Sequence, residues 1–396
     1  MAVVALPLSM AIAVASGVSP ERGLYASVVG GFLVSALGGS RYQIGGPAGA
    51  FIVLVAGTVA KFGLPGLWLT MLIAGAMLIV AGLSRLGALI RHIPHAVTVG
   101  FTFGIAVTIL SSQLKDLGGL TLKVAEPGLL LPKFKVLWAA LPTLNPDALA
   151  IGVAAAALIF ILRALRPGWP GMLIAVVLAS LATAFFHFPV ETIGMRFGDL
   201  PRGLPSPHLP PMSWALFKEV LPVSFSFTLL GGVESLLSAK VADGMSGRQH
   251  RHNMELVAQG IANVVTAFFG GMSVTGNIAR TATNIRAGAK SPVSGILHAG
   301  FVLLFLLVAA PLARYVPLAA LSGVLLVVCW NMAERDAALK LLKNLSGAVI
   351  LLATFGLTIV SGLTLGIIVG CTLAVLFWFV ARVRRGGNWP GGPKAA

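Results

Sequence analysis

The sequence predicts an all-α polytopic membrane protein of 14 transmembrane segments, arranged as a 7+7 inverted repeat. Composition gives the first reason: 57% of the 396 residues are hydrophobic and only 10% are charged, against about 25% charged residues in soluble domains. Apolar runs close to the roughly 20 residues of a membrane-spanning helix give the second. The third is a pair of short, glycine-interrupted runs, one in each half of the chain.

Glycine, proline and charged residues divide the apolar sequence into two sets of seven runs. In order along the chain, the first set covers 2–18, 22–38, 48–61, 66–82, 94–112, 146–165 and 169–187. The second set covers 222–241, 255–271, 276–286, 292–310, 315–331, 346–360 and 362–382. We therefore expect one transporter domain, 1–396, with repeat one over about 1–190 and repeat two over about 220–385.

Basic residues predict the orientation of these runs. The formal charge is +16, and Lys and Arg lie mostly in the gaps between runs, where they set topology. With the N terminus inside, 17 of the 28 Lys and Arg fall in inner gaps and 10 in outer gaps. We expect a multi-pass protein of the cell inner (plasma) membrane with both termini cytoplasmic. The partner of its basic residues is then the lipid bilayer, not nucleic acid.

Two stretches outside the central runs complete this organisation. The first run begins at Met1 with almost no flank and without the basic n-region or cleavage site of a signal peptide. Because a spanning helix usually has residues before it, we expect this N terminus to belong to a fragment or an early start. The proline-rich stretch DLPRGLPSPHLPPMSW is expected to be the extracellular connection between the two halves.

The two short runs suggest a function. The third run, 48–61, follows YQIGGPAGAF, and the tenth, 276–286, lies in GGMSVTGNIARTATNIRAGAKSP. Short Gly/Pro-interrupted segments at corresponding positions of two halves mark the binding site of an inverted-repeat transporter. A half-helix that begins near the bilayer midplane presents unpaired N–H groups and partial positive charge, so two facing ends form an anion site. Close approach of backbone to a ligand is favoured by Gly45, Gly46, Gly49, Gly271 and Gly276.

Charged residues inside the runs add to this hypothesis. Arg280 lies about one turn into the second half-helix, where an arginine costs roughly 2.5–3.5 kcal/mol on insertion scales. We expect it to attract an anionic substrate; the alternative is that it pairs with Glu234 or reaches water. Glu234 has Ser238 four residues later on the same helical face, a pair suited to Na⁺ or to a proton. The other acidic residues are expected in loops or at span ends, and His298 to hydrogen-bond to backbone.

Motifs for catalysis are missing from the sequence. There is no G-x-S-x-G, H-E-x-x-H or G-x-x-x-x-G-K-[ST], so neither a hydrolase nor an ATP-driven pump is supported, and the chain is not expected to be an enzyme. Cys329 and Cys371 fall in predicted runs and are expected to pack as small apolar residues. No cofactor is expected apart from Na⁺ or H⁺ as a coupling ion, and no metal apart from a Na⁺ at Glu234.

Four stretches together resemble the sulfate-permease (SulP) family of anion transporters. They are ALPLSMAIAVASGVSPERGLYASVVGGFL, GGSRYQIGGPAGAFIVLV, GGVESLLSAKVADGMSG and GNIARTATNIRAGAKSPVSGI, and their order and spacing run through essentially the whole chain. The resemblance implies a membrane domain of fourteen segments in two inverted repeats. It also implies a core that carries substrate, a gate, and an elevator motion of one against the other, with a homodimer suggested by the family alone.

The resemblance also implies roles for particular residues. The substrate pocket would lie between the starts of the third and tenth segments and be lined from the first segment, with a basic residue just behind it. Its residues here are Leu8, Ile12, Ala48, Gly49, Ala50, Gly276, Asn277, Ile278 and Arg280. Glu234 and Ser238 match the eighth-segment pair that, in cation-coupled members, is similar to a sodium or proton site.

The chain departs from the family pattern in two respects. Members often have a polar group in place of Leu8, and Thr or Ser in place of Ile278 or Ala48, so this pocket is more apolar than a sulfate site requires. Bicarbonate, chloride or a small dicarboxylate then stay open beside sulfate. Most members also carry a cytoplasmic C-terminal STAS domain, whereas this sequence stops at RRGGNWPGGPKAA. We expect either a truncated form or a natural short form.

The sequence therefore predicts a secondary active transporter of small anions, coupled to H⁺ or Na⁺. A nucleobase transporter of similar fold is one alternative, but such proteins usually place an acidic residue at the start of the tenth segment, where this chain has Asn277 and Arg280. An anion exchanger, a channel or a voltage-responsive motor on the same scaffold is another. A membrane-embedded enzyme is the weakest alternative, because no catalytic constellation is present.

Overall fold

The structure is a computed structural model that describes residues 2–87, 94–124, 126–127, 130–360 and 363–384. It is mostly helical within those ranges, because long runs of Ala, Leu, Val and Ile satisfy their backbone groups internally as helices. The helices are α1 (Ala2–Ala15), α2 (Pro20–Tyr25), α3 (Gly31–Leu37), α4 (Ile52–Leu83), α5 (His95–Leu117), α6 (Leu130–Ala140), α7 (Pro146–Leu165), α8 (Gly171–Phe186), α9 (Ile193–Phe197), α10 (Trp214–Ser246), α11 (His252–Phe268), α12 (Ile278–Arg286), α13 (Val293–Val308), α14 (Leu318–Met332), α15 (Arg335–Leu342), α16 (Leu345–Val360) and α17 (Leu363–Arg384). Two strands, β1 (Gly45–Gly46) and β2 (Thr275–Gly276), complete the architecture.

Every predicted run coincides with helical structure in the described part of the chain. A π-helical turn at Ala26–Gly30 joins α2 to α3, so that these elements together match the second run. Five stretches are long and apolar enough to cross a membrane by themselves. They are Gly49–Leu83, His95–Leu117, Pro146–Leu165, Trp214–Ser246 and Leu318–Leu342. The helical fold is therefore observed, and the 7+7 membrane layout stays a prediction.

The third and fourth predicted runs form one continuous element that is kinked. Gly63, inside α4, has φ 68° and ψ −173°, a left-handed conformation that favours glycine and interrupts the helix. Pro65 follows two residues later and starts the second part, because it lacks the N–H that a helix interior would need. The first part of α4 is consequently short, as predicted for the third run.

A glycine-rich break in the helical structure precedes each short helix, at Gly45–Gly46 (the first break) and at Thr275–Gly276 (the second break). The two breaks meet each other. β1 and β2 pair in antiparallel register, with Gly45 opposite Gly276 and Gly46 opposite Thr275. This two-residue ribbon joins segments that are more than 200 positions apart in the sequence. The starts of the two short helices are therefore held side by side.

Glycines allow two helices to pack with their backbones almost in contact. A Cβ placed on Gly75 of α4 would lie 2.7 Å from the carbonyl oxygen of Gly260 in α11, and one on Gly260 would lie 2.5 Å from the carbonyl oxygen of Gly75. Only glycine fits such a crossing. The second part of α4 is therefore packed tightly against α11.

The chain divides into two compact units. The first comprises the described residues of Met1–His92 and Thr108–Asn331, and it contains both breaks. The second comprises the described residues of Ile93–Val107 and Met332–Ala396. Ala96, Val97, Ile350 and Ala374 form the buried cluster of this second unit. The predicted single domain and its repeat boundaries are a different division of the chain and stay predictions.

Candidate functional site

The second short helix, α12, begins at the ribbon with a capped N terminus. Asn277 has an extended backbone, and its side-chain Oδ1 accepts the backbone N–H of Arg280 at 3.1 Å, the usual capping contact of asparagine. The N–H of Asn277 donates to the carbonyl of Ile44 at 3.0 Å. Ile278, the first helical residue, is 37% exposed. At nine residues, α12 is far too short to span a bilayer by itself.

The first short helix begins differently. Ala48 is extended, with φ −119° and ψ 144°, and no side chain caps the turn that follows it in the described structure. Gly49, Ala50 and Phe51 form a single 3₁₀ turn before α4 continues. Ala48 and Ala50 are buried. The first N–H groups of this half-helix have no helical partner, so they add partial positive charge to the region of the breaks.

Arg280 places a full positive charge at the same point. Its side chain is 1% exposed, and Nη2 donates to Oγ of Ser9 in α1 at 3.0 Å. Ser9 and Ser27 share a hydrogen bond of 2.7 Å, which fixes the hydroxyl that receives the arginine. The guanidinium lies directly over Gly46, where a Cβ would overlap Nη1. Gly46 is therefore required for the arginine to reach the break.

No acidic side chain neutralises Arg280 within the described ranges. Its Nε and Nη1 atoms are buried without a hydrogen-bond partner there, and no ion pair joins it to Glu234. The alternative of a structural Arg280–Glu234 pair is therefore wrong for this conformation. Reaching water is equally excluded by the burial of the side chain. A buried cation without a counter-ion is an unfavourable arrangement unless a ligand completes it.

Leu8 and Ile12, the predicted pocket residues of the first segment, lie on the buried side of α1. Leu8 is 5% exposed and Ile12 is 1% exposed, one helical turn apart on the same face. Ser9, next to Leu8, is the residue that contacts Arg280. The structure thus brings α1 to the breaks through a serine that the sequence did not single out.

Glu234 and Ser238, both on α10, lie in two different environments. Ser238 is fully buried, and its hydroxyl donates to Oγ1 of Thr281 at 3.2 Å, the residue after Arg280. The same Thr281 oxygen accepts the N–H of Ile44 at 3.2 Å. Oε2 of Glu234 is buried without a hydrogen-bond partner among the described residues. Ser238 therefore joins α10 to α12, and Glu234 keeps a free buried oxygen one turn away.

Two buried polar residues have surroundings that the sequence did not indicate. Glu255 lies at the start of α11, as expected for an acidic residue at the end of a run, but it is fully buried and accepts the backbone N–H of Gly39 and Ser40. Its position in the first turn of α11 concealed this, because the first turn of a helix is usually solvated. His298 is 2% exposed, and neither ring nitrogen has a hydrogen-bond partner in the described structure, so the expected backbone contact is absent.

These features define the class of the protein. Two discontinuous helices meet by their starting ends inside a helical membrane domain, and a buried arginine without a counter-ion lies at the junction. Such a site is suited to holding an anion by backbone N–H groups and a guanidinium, and it contains no arrangement of nucleophile and base. The class that this arrangement indicates is a solute transporter.

The family follows from comparison with known proteins. Residues 1–355 match the Sulfate permease family, and the chain belongs to that family of anion transporters. YvdB of Bacillus subtilis (strain 168), named as a candidate sulfate transporter, is 43% identical over 384 residues, which cover 96% of this chain and 72% of YvdB. The protein is therefore an integral, multi-pass membrane protein.

Solved structures show the same fold. The transmembrane domain of a cyanobacterium bicarbonate transporter, BicA, matches with a TM-score of 0.80 at 28% identity, covering 94% of this chain and 94% of that one. The murine Slc26a9 anion transporter, in the inward-facing state, matches with a TM-score of 0.87 at 19% identity, covering 96% of this chain and 67% of that one. At this lower identity the likeness concerns the fold alone.

Proposed function

We propose that the protein is a secondary active transporter of a small anion in the cell inner (plasma) membrane, driven by symport of H⁺ or Na⁺. The observation that carries this proposal is Arg280. Its guanidinium is buried at the junction of the two breaks, and two of its nitrogens have no partner in the described structure. An anion placed between the ribbon and the starts of the short helices supplies the missing counter-charge.

The proposed pocket combines three kinds of surface. Gly49, Ala50 and Ile278 contribute backbone N–H groups at helix starts, Asn277 caps the second of these starts, and Arg280 contributes charge from behind them. Leu8 and Ile12 contribute apolar side chains from α1. A singly charged or partly apolar anion suits such a mixed pocket, because it has fewer charged atoms whose lost hydration must be replaced by strong hydrogen bonds. This favours bicarbonate, chloride or a small dicarboxylate, with sulfate as the more demanding alternative.

Pairs of helix contacts support the proposed 7+7 layout. In a 7+7 repeat, each segment (predicted run) of the first set corresponds to the segment seven places later in the second set. Segments 4 and 9 therefore correspond to segments 11 and 2. The first pair packs through Gly75 and Gly260, and the second through Gly295, where a Cβ would overlap Ser35. Segments 5 and 13 correspond in the same way to segments 12 and 6. Gly100 packs on the Leu351 carbonyl in one pair, and Gly152 on the Ala319 carbonyl in the other.

The third and tenth segments correspond to each other in the same scheme. They pair directly through the antiparallel ribbon, as segments on opposite sides of a two-fold axis do. For the transport cycle we propose an elevator motion in which α10, α11, α12 and both parts of α4 move as one body with the bound anion. The glycine crossing of α4 with α11 and the Ser238–Thr281 hydrogen bond favour this rigid-body behaviour. A homodimer and cytoplasmic termini complete the proposal.

Glu234 is the proposed coupling residue. Its buried, unpartnered Oε2 lies in α10, the helix that also presents Ser238 to α12. A carboxylate in this position is suited to accept a proton or to bind Na⁺, and either cation favours the arrival of an anion by electrostatic attraction. Cation and anion then bind cooperatively, which is the requirement for symport.

The test is uptake of radiolabelled anions into proteoliposomes that contain the purified protein. Bicarbonate, sulfate, chloride and fumarate are offered separately, each with and without an imposed H⁺ or Na⁺ gradient. We expect gradient-driven accumulation of one of these anions, abolished by collapse of the gradient. Uptake of uracil in place of every anion would establish a nucleobase transporter on this scaffold. Electrical currents far above carrier turnover would establish a channel.

A further inference from the structure

We propose that Glu255 is a positioning residue for the anion site, which holds both breaks in register from a distance. Its carboxylate fixes the backbone that leads into the first break, and through Gln43 it fixes the second. This inference rests on the proposed function, because it assigns Glu255 a part in anion affinity. Glu255 contacts neither Arg280 nor the starts of the short helices in any hydrogen bond of the described structure, so it acts through its neighbours.

The Glu255 carboxylate is surrounded by hydrogen-bond donors. Oε2 accepts the backbone N–H of Gly39 at 2.8 Å and that of Ser40 at 3.1 Å. Oε1 accepts Nε2 of Gln43 at 2.8 Å and Nε2 of Gln259 at 3.0 Å. Because all four neighbours donate, both oxygens must act as acceptors. No other side chain of this size satisfies four donors in this way.

Gln43 transmits the constraint to the second break. Its Nε2 also donates to the carbonyl of Ser235 at 3.2 Å, and since both of its partners are acceptors, the orientation of the amide is fixed. Its side chain covers Gly276, where a Cβ would overlap the amide group. Ser235 in turn shares a 2.6 Å hydrogen bond with Thr275 and accepts the Gly276 N–H at 3.3 Å.

The backbone around Glu255 leaves no room for another arrangement. A Cβ on Gly39 would overlap the carbonyl of Arg251, and the N–H of Arg251 donates to the Gly39 carbonyl at 3.2 Å. Gly38 is similarly close, with its Cβ position 3.2 Å from Oε2 of Glu255. The loop before β1 therefore lies directly on the first turn of α11. A change in the carboxylate is consequently transmitted to the ribbon and not absorbed locally.

The test compares three single substitutions and one double substitution. Glu255→Gln keeps the shape but turns one acceptor into a donor that faces other donors. Gln43→Met removes the link to the second break and leaves the carboxylate intact. Gln259→Met is the matched control, because Gln259 donates to the same Oε1 atom. The readouts are the half-saturating anion concentration, the maximal rate of uptake, and the melting temperature in detergent.

We expect Glu255→Gln and Gln43→Met each to raise the half-saturating concentration about tenfold, because each removes a buried hydrogen bond that leads to the ribbon, with the maximal rate within about threefold of wild type. Gln259→Met should stay within about threefold in both quantities. The double variant should be no worse than Glu255→Gln alone, because both changes break one connection. Additive effects, or a control as impaired as Glu255→Gln, would overturn the proposal.

A second readout needs no substrate and separates this inference from the proposed function. Backbone hydrogen exchange is measured over 38–47 and 272–278 in the wild type and in each variant. We expect faster exchange in both peptides for Glu255→Gln, in 272–278 for Gln43→Met, and in neither for Gln259→Met. Unchanged exchange in 272–278 for both test variants overturns the positioning role. If exchange behaves as expected and the wild type transports no anion, the proposed function fails and the positioning role stands.

Should Glu255→Gln fail to fold, Gln43→Met decides the question, because it retains the carboxylate and its backbone contacts.

Discussion

Arg280 combines two properties that proteins rarely combine, full burial and an incomplete set of hydrogen bonds. In the described structure its side chain donates only to Ser9, and two nitrogens are left over. A buried ion normally keeps a counter-ion, since an isolated charge in a low-dielectric interior is strongly unfavourable. Here the nearby breaks contribute further positive potential from helix starts. A negative partner would stabilise this arrangement, and that is the basis of the anion proposal.

Substitution of Arg280 tests this at the residue level. Arg280→Met should raise the half-saturating anion concentration about tenfold or more, because the loss of a charged hydrogen-bonding group costs at least one such interaction. The melting temperature should stay the same or rise, since an apolar residue of similar volume replaces an unpaired buried charge. Arg286→Met, an exposed arginine at the other end of α12, is the control. Loss of stable protein with normal transport by the remainder would assign Arg280 a structural role.

Glu234 gives a second test at this scale. Glu234→Gln retains size and polarity but can neither bind Na⁺ as a carboxylate nor exchange a proton. We expect anion uptake to lose its dependence on the H⁺ or Na⁺ gradient, with the dependence measured in proteoliposomes at fixed anion concentration. Glu219→Gln, an exposed glutamate on the same helix α10, is the control and should keep the gradient dependence. An unchanged dependence in Glu234→Gln removes this residue from the coupling mechanism.

Among the elements, the crossing of α4 and α11 determines how firmly the breaks are supported. Gly75 and Gly260 face each other's carbonyl oxygens, so the two backbones are separated by less than a methyl group requires. Backbone atoms cannot move aside in the way that the end of a flexible side chain can. The support of the site therefore depends on two glycines that lie outside the proposed pocket.

Gly75→Ala and Gly57→Ala give opposite predictions within the same helix. Gly75→Ala should lower the melting temperature in detergent, because its methyl group would lie 2.7 Å from the Gly260 carbonyl oxygen. Gly57 has nothing within 4 Å of its Cβ position, so Gly57→Ala should be neutral or stabilising by about 0.5–1 kcal/mol, the helix preference of Ala over Gly. Equal melting temperatures for the two variants would contradict the tight crossing.

The connection that follows α8 in the sequence is held against α5 and α14 by a small charged network. Arg196 donates from Nε to Oε1 of Glu191 and from Nη2 to Asp116, each at 2.8 Å. The N–H of Leu318 donates to the Glu191 carbonyl at 3.0 Å, which ties the network to the start of α14. The hydrogen bond from Arg196 holds the pKa of the Glu191 carboxyl below its ordinary value of 4.5.

This lowered pKa predicts a pH dependence for the connection. A carboxylate whose pKa is lowered by folding contributes stability above its unfolded value, here 4.5, and loses it as pH falls through the folded value. Arg196→Met should therefore speed backbone hydrogen exchange in 191–197 at neutral pH. The difference from wild type should shrink well below 4.5. Arg202→Met, an exposed arginine of the same connection, is the control, and a difference that persists in acid would refute the role of Glu191.

For the whole molecule, the distribution of basic residues predicts the orientation of the chain in the membrane. Basic residues favour the cytoplasmic side, and the count of 17 inner against 10 outer Lys and Arg gives the orientation. An outer connection between the two halves and an inner connection after α10 follow from it. Both connections contain exposed residues that labelling reagents can reach, so the orientation is directly measurable.

Cysteine labelling tests the orientation. In a variant whose Cys329 and Cys371 are replaced by Ala, Ser206→Cys should react with a membrane-impermeant maleimide in intact cells. Arg248→Cys should react only after the membrane is permeabilised, because it follows α10 on the predicted inner side. Each position serves as the control for the other. The reverse pattern would invert the topology and place both predicted cytoplasmic termini outside.

Local chemistry made a large part of this protein predictable from its sequence. Helices follow from long apolar runs that must satisfy their own backbone in a bilayer, and breaks follow from glycine and proline, which interrupt helices. The two breaks occupy corresponding places in the two predicted halves. The sequence therefore already predicted that Gly276 and Arg280 would lie near Ala48. Residue types and spacing were sufficient because each signal is short-range and is repeated along the chain.

Only the tertiary structure decided which polar residues work together. Nothing local distinguishes Ser9 as the acceptor for Arg280, or Glu255 as a buried carboxylate, because each depends on a partner more than 200 positions away. His298 was likewise assigned a backbone contact that the fold does not provide. Long-range pairing is set by how helices cross, and crossings depend on the sum of many weak packing contacts. The sequence by itself determined the helical membrane fold and the place of its two breaks; the packing of helices decided the partners of the charges.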